Sequence, residues 1–424
     1  MKRYAMPTAG ASITAPSETA SPRRAAGLQG LAQNHVAQGL AAALLSLAPL
    51  LVASHGRSTA FNNYVRVAYA WLHGRMWMDY PGKWMDAVLY KDHYYGVDGP
   101  MPAVLMLPLV LWKGLDANQT WVAIALCAAS LALGWVLLAR LGVSFAPRAW
   151  LTLFLFAGTD LWWCAMLGDV WFIAHISALF FTFLTLLELG GRRRGWLVAL
   201  LAFCAFESRF TLALALPFYA WLIQDGALAG GEKKPRELIS FGAVLAAGAV
   251  AWVGYNEAMW GTLVDIGHTL YYHQDSYGST SGSPFGLRYL PYQLYSFFIQ
   301  APIYVEWLQV PQWPYFKVDV RGVALTFTSP ALILAFLARE PRKLVVALWL
   351  TVALVAGPSF LYYLNGWYQF GMRHALDFEP FLFLLMGLAV KNAMPRWGAT
   401  LIVYSSLVGT WGVWWWDTFI RTAD

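Results

Sequence analysis

Charge is what this chain has least of. Asp, Glu, Lys and Arg make up 12% of its 424 residues, against about 25% in ordinary soluble domains. Hydrophobic residues make up 59%, where roughly 45–50% is usual. So little charge cannot cover a water-facing surface, and lipid is the natural solvent for such a chain. Cysteine is scarce as well. Cys127, Cys164 and Cys204 each fall inside an apolar run, which excludes a disulfide framework and a cysteine-based metal site. There is no Gly-rich phosphate cradle and no internal repeat. The net charge of +6 is dispersed in short clusters between apolar runs. That is a topological pattern, and it speaks against a nucleic-acid partner.

What is present is a series of apolar runs of membrane-spanning length. They predict an all-α, polytopic transmembrane bundle of about ten crossings. Residues 1–34 read as a disordered cytoplasmic tail, and 35–424 as a single transmembrane domain. Spans are expected at Val36 to Ala53 and near residues 119–139, 149–166, 170–189, 238–256, 324–338, 344–362, 376–390 and 397–416. The stretch 196–223 is interrupted by Glu207, Ser208 and Arg209, and reads as a hairpin of two short helices. Met101 to Leu115 reads as a short embedded helix that does not cross. Every basic cluster then lands on one side: Arg140 and Arg148, Arg192 to Arg194, Lys233 to Arg236, Arg339 to Lys343, and Lys391 with Arg396. By the excess of Lys and Arg in inner loops that side is cytoplasmic. Large extracytoplasmic loops follow at 54–100 and 257–323, with a shorter one at 363–375, and loops of that length usually carry a role.

The first loop contains an amphipathic stretch, Asn63 to His73, expected to lie along the membrane surface. It also offers Asp79, Asp86, Asp92 and Asp98 around Tyr90, Tyr94 and Tyr95. A carboxylate can take a hydroxyl proton and an aromatic ring can stack on a sugar, although Lys83 and Lys91 could equally neutralise these acids in a solvated loop. Glu207 and Arg209 are costly in an apolar stretch and must be paired, hydrated or used. They lie two apart, which sends them to separate partners. At the outer mouth of a later span stand Arg373, His374, Asp377 and Glu379. Arg373 is suited to gripping a phosphate. It is also four residues from Asp377, a spacing that allows a structural pair. Asp169 precedes a helix that carries Trp171 and His175 on one face. Asp265, His268, His273 and Asp275 are metal-ligand types without a metal-site spacing, so no metal ligand is assigned, and a divalent metal is left open as the only cofactor. The 23 Trp and 21 Tyr favour a carbohydrate ligand beyond what an interfacial belt needs.

Several stretches resemble the bacterial branch of the GT-C superfamily, polytopic glycosyltransferases akin to protein mannosyltransferases and the lipid A aminoarabinose transferase. They are AYAWLHGRMWMD, DAVLYKDHYYGVDGPMPAVLMLP, FAGTDLWWCAML, ESRFTLALALPF, SPFGLRYLPYQLYSFF with TSPALILAF, and WYQFGMRHALDFEPFLFLL. The resemblance implies a GT-C-like bundle in the bacterial inner membrane, its N-terminus cytoplasmic and its active site extracytoplasmic. It implies transfer of a sugar from a polyprenyl-phosphate donor to the hydroxyl or amine of a lipid or glycan acceptor, with membrane lipids around it. Asp86 leads as the base with Asp169 behind it. Arg209, Arg373 and His374 would hold the donor phosphate, and Tyr94, Tyr95, Trp171 and His175 the sugar or acceptor. Family members usually carry an acid soon after the first span, whereas this chain has Phe61, Asn62 and Asn63. A neutral amide cannot accept a proton, so a later acid must serve or the activity is lost. The competing readings are a transporter or lipid-handling protein, or a non-catalytic scaffold of an envelope-assembly complex.

Overall fold

The computed structural model describes residues 34–82 and 85–421. The expected tail, Lys83 and the C-terminal Asp424 lie outside them, apart from Asn34. The chain is 66% helical, with few short strands. Among the described residues five helices are long and apolar enough to cross a membrane: α1 (His35–Ser54), α4 (Gln119–Arg140), α7 (Val170–Leu189), α10 (Pro235–Trp260) and α14 (Arg342–Leu361). A sixth span exists if α5 (Phe145–Ala157) and α6 (Leu161–Leu167), bent by 45° at their junction, count as one.

Burial sorts these helices. α7 is the hub, with 83% of its most apolar stretch buried, whereas α10 buries only 6% and leans mainly on α8 (Gly195–Phe206). An apolar helix bare on nearly every side requires lipid around it. The first helix starts on an Asn34 cap and α4 on Asn118, whose side-chain oxygens accept from backbone N–H groups of the first turn.

Several expected spans are shorter or broken, each for a local reason. Gly158–Thr159–Asp160 interrupts the 149–166 run at the 45° bend. The 196–223 stretch is α8, a break at Glu207–Arg209, a 3-10 turn (Phe210–Ala215) and α9 (Leu216–Asp225). Arg193 donates to Ile223 O at 3.3 Å, bringing the far ends of α8 and α9 together as a hairpin. The 324–338 run is α13 (Leu325–Thr328) followed by a 3-10 segment (Pro330–Leu337), and the 376–390 run is mostly α15 (Glu379–Ala389), only 11 residues long. Pro330 and Pro380 stand in first helical turns, where a missing N–H costs nothing.

At one end of the bundle the basic turns meet. Arg140 donates to Leu187 O at 2.6 Å, Lys234 to Arg192 O at 2.7 Å, and Ser144 N to Lys391 O at 2.8 Å. At the other end the long connections meet. α2 (Asn63–Leu72) forms where the amphipathic stretch is expected, but it packs on α3 (Met101–Lys113), burying Tyr64, Val65 and Ala68. A hairpin of β1 (Ala87–Tyr90) and β2 (His93–Gly96) follows it, turned by Lys91 and Asp92 at positive φ. α11 (Gly267–Gln274) covers that hairpin, and Gln274 clamps Leu89 by donating to its carbonyl at 3.0 Å and accepting its N–H at 3.1 Å. Beyond it lie α12 (Leu290–Phe298) and a second hairpin, β3 (Ile303–Trp307) with β4 (Val310–Lys317). The 24-residue α16 (Arg396–Phe419) closes the chain.

Candidate functional site

The loop end of the bundle holds two linked groups of charged side chains. The deeper one centres on Asp377. His175 Nδ1 lies 2.6 Å from its Oδ1, while Arg209 Nε and Thr211 Oγ1 donate to Oδ2 at 3.2 and 2.9 Å. Arg209 also meets His374 Nδ1 at 3.1 Å, and the His175 and His374 rings lie edge to face at 5.1 Å. The pairing of Arg373 with Asp377 expected from their spacing does not form. Their segment, Arg373–Asp377, is a 3-10 helix, in which positions four apart diverge by about a third of a turn. Arg373 instead donates to Gln369 Oε1 at 2.7 Å and lies over the Phe172 ring. It is 6% exposed, it makes no ion pair with a carboxylate among the described residues, and its Nε is buried without a partner.

The shallower group belongs to the first loop. Trp171 Nε1 donates to Asp86 Oδ2, and Tyr271 Oη donates to its Oδ1 at 2.7 Å, so a span and the second loop fix this carboxylate between them. Burial pushes the Asp86 carboxyl upward, while those two donors and the Arg373 guanidinium pull it back. Asn63 Nδ2 reaches the Asp86 carbonyl at 3.0 Å, and Asn62 is taken up by Arg66 Nε, also at 3.0 Å.

The sequence offers Asp98 only as one of four acids in the first loop, behind Asp86. Gly99 places it at the site: a Cβ at Gly99 would lie 2.2 Å from Glu207 O, and only glycine permits that approach. Met101 N then donates to the same carbonyl at 3.0 Å. Thus the end of the first loop is sewn to the break in the α8–α9 hairpin. Asp98 Oδ2, Asn63 Oδ1 and Tyr64 Oη are buried and unpartnered among the described residues. All three residues line one cavity of about 10 Å3, room for roughly a single water. Burial and the nearby Asp86 raise the Asp98 carboxyl to about 7, against the pull of His268, Arg209 and Arg373. The neutral amide at position 63 therefore stands beside an acid delivered from the far end of the same loop. The only sequence signal was an Asp-Gly-Pro turn just before a helix.

The remaining candidates fall elsewhere. Asp169 accepts from Thr59 Oγ1. Tyr95 is buried against Trp260 in a small core of its own, and Tyr94, pointing to the other strand face, lies tilted against Tyr80 at 5.2 Å. The structure therefore brings together Asp86, Trp171, His175, Arg209, Arg373 and His374, and leaves both tyrosines in the outer lobe. Glu207 and Arg209 do find separate surroundings, Glu207 Oε2 being buried without a partner. Asp265 pairs with His268, Asp275 accepts from Tyr363 and His273 meets Gly282 O, so these four do not converge. Among the described residues no three His, Cys, Asp or Glu side chains gather to hold a metal.

Comparison with models of known protein families, with curated proteins and with solved structures finds no match to this chain.

Proposed function

We propose that this chain is a membrane glycosyltransferase of the GT-C kind, passing a sugar from a polyprenyl phosphate to an acceptor hydroxyl or amine at the loop end of the bundle. The observation that carries this reading is the pair of groups left over at the loop end: a half-buried Asp98 whose Oδ2 is unpartnered, and a buried Arg373 that meets no carboxylate among the described residues and whose charge reaches the Asp98 carboxyl through space. Sugar transfer from a lipid phosphate needs these two groups: a base for the acceptor and a cation for the leaving oxygens. In the proposed step the acceptor oxygen or nitrogen bonds to the anomeric carbon, its proton passes to Asp98 Oδ2, and the anomeric C–O bond breaks with its electron pair going to the phosphate. Arg373 offers the phosphate Nε and the remaining Nη2 as a fork. Asp86, held by Trp171 and Tyr271, keeps the Asp98 carboxyl high. Arg209 forms the second cationic wall and donates to a neutral His374 beside it, with Asp377 and His175 bracing it. Asp169 has no assigned step.

Arg373→Lys keeps the charge and loses the planar fork, so affinity for a polyprenyl-phosphate sugar should fall about tenfold or more while the protein still folds. Unchanged donor affinity in Arg373→Ala would remove Arg373 from the site. Turnover by the parent of no polyprenyl-linked sugar, with lipid movement between leaflets retained, would favour the lipid-handling alternative. Sidedness is tested separately by single-cysteine labelling. Arg192–Arg194 and Lys233–Arg236 should react from the cytoplasm and residues 54–100 from outside, and the reverse result would end the proposal.

A further inference from the structure

The β3–β4 hairpin stands apart from the charged site and needs an explanation of its own. Both strands are exposed along nearly their whole length. Tyr304, Trp307, Leu308, Val310, Trp313, Tyr315 and Phe316 are all bare, Leu308 at the turn being 83% exposed. Only Glu306 and Lys317 bring charge, and they cancel. A lone two-stranded hairpin is marginal in water, and one so apolar on both faces has to be covered.

Its position says by what. The Trp313 ring lies 5.6 Å from that of Trp414 on α16. Three residues further on, Asp417 meets His55 Nε2 at 2.9 Å, and Arg421 donates to Ala53 O at 2.9 Å. Ala53 and His55 mark the end of α1, an apolar helix of spanning length. Trp414 therefore sits about 4.5 Å inside the level at which α1 ends. That is the depth at which Trp and Tyr gather in membrane proteins, one edge apolar and the other wet.

We propose that the β3–β4 hairpin is a bilayer-interface anchor. It rests Trp307, Leu308 and Val310 in the headgroup–acyl boundary of the membrane that α1 crosses. The two cancelling charges make the attachment apolar, so it does not require anionic lipid. This inference is independent of sugar transfer.

The test uses the full chain in phosphatidylcholine nanodiscs, with Cys204→Ala and Leu308→Cys carrying an environment-sensitive fluorophore, since Cys127 and Cys164 are buried. Thr280→Cys, exposed elsewhere in the same loop, serves as control. Phosphatidylcholine spin-labelled near the headgroup should quench position 308 several-fold more than aqueous iodide does, and the order should reverse at 280. Adding phosphatidylglycerol should change neither. Iodide quenching at 308 equal to that at 280 overturns the proposal. So does protection of 308 from both quenchers, the result expected if a second copy of the chain covered the hairpin. If the fluorophore disturbs the turn, a benzophenone side chain at Trp307 provides the second reading: photocrosslinks to phospholipid support the anchor, and their absence overturns it.

Discussion

Asp98→Asn is expected to slow sugar transfer by about 10²–10⁴-fold, the usual worth of a general base, while donor binding stays within a few-fold of the parent. The pH profile gives the sharper check. With the Asp98 carboxyl at about 7, the parent should lose activity as pH falls through that value and the base takes up its proton. Asp86→Asn removes a negative charge that helps hold Asp98 up, so the same limb should move to lower pH. Stability should move the opposite way to activity. A carboxyl raised in the fold is tolerated below its unfolded value near 4 and becomes a burden as pH rises through about 7. Asp98→Asn should accordingly be more stable than the parent by roughly 1–4 kcal/mol above pH 7 and lose that advantage towards pH 4. A variant both inactive and less stable at pH 8 would make Asp98 a structural residue.

The second large effect is expected at Asp377. Asp377→Ala leaves the part-buried Arg209 without its carboxylate and strands His175 and Thr211, a change of about 3–5 kcal/mol for breaking a buried pair. Thermal unfolding in detergent should show it as a clear fall in Tm. The double variant with Arg209→Met should recover part of the loss, because no buried charge is then left over. Equal losses in the single and double variants would mean that Arg209 draws nothing from this partner.

How much of this could be read in the residues depended on range. The uninterrupted runs that became α4 and α7 were plain because nothing polar divides them, and Glu207–Arg209 announced its break by its cost. The junction at Gly158–Asp160 was equally visible as a turn, yet hydropathy alone merges its two sides. Mixed 3-10 and α segments such as Arg373–Asp377 were not legible. Their side-chain types are those of an α-helix, and the expected pair with Asp377 failed once the turn tightened and partners about 170–200 residues away in sequence were nearer. Asp86 drew notice through its sequence neighbours. Asp98 stood out no more than the other loop acids, because what sets its character is the cavity that Tyr64 and Asn63 line with it, and no local pattern encodes that.

The seam at Gly99 has a consequence for how substrates arrive. Backbone groups join the acid-bearing loop to the broken hairpin, so Asp98 and the neighbouring Arg209 travel as one piece and loop motion cannot change their spacing. The outer helix α11, by contrast, is tied to that piece by side chains only: Tyr271 and Gln274 through hydrogen bonds of about 1–3 kcal/mol each, and Leu270 and Tyr271 through packing on the small core beside Tyr95. Opening therefore takes the cheaper route. The outer helix lifts while the reacting groups stay in register, and shortening the Gln274 side chain should quicken entry without changing the chemistry that follows.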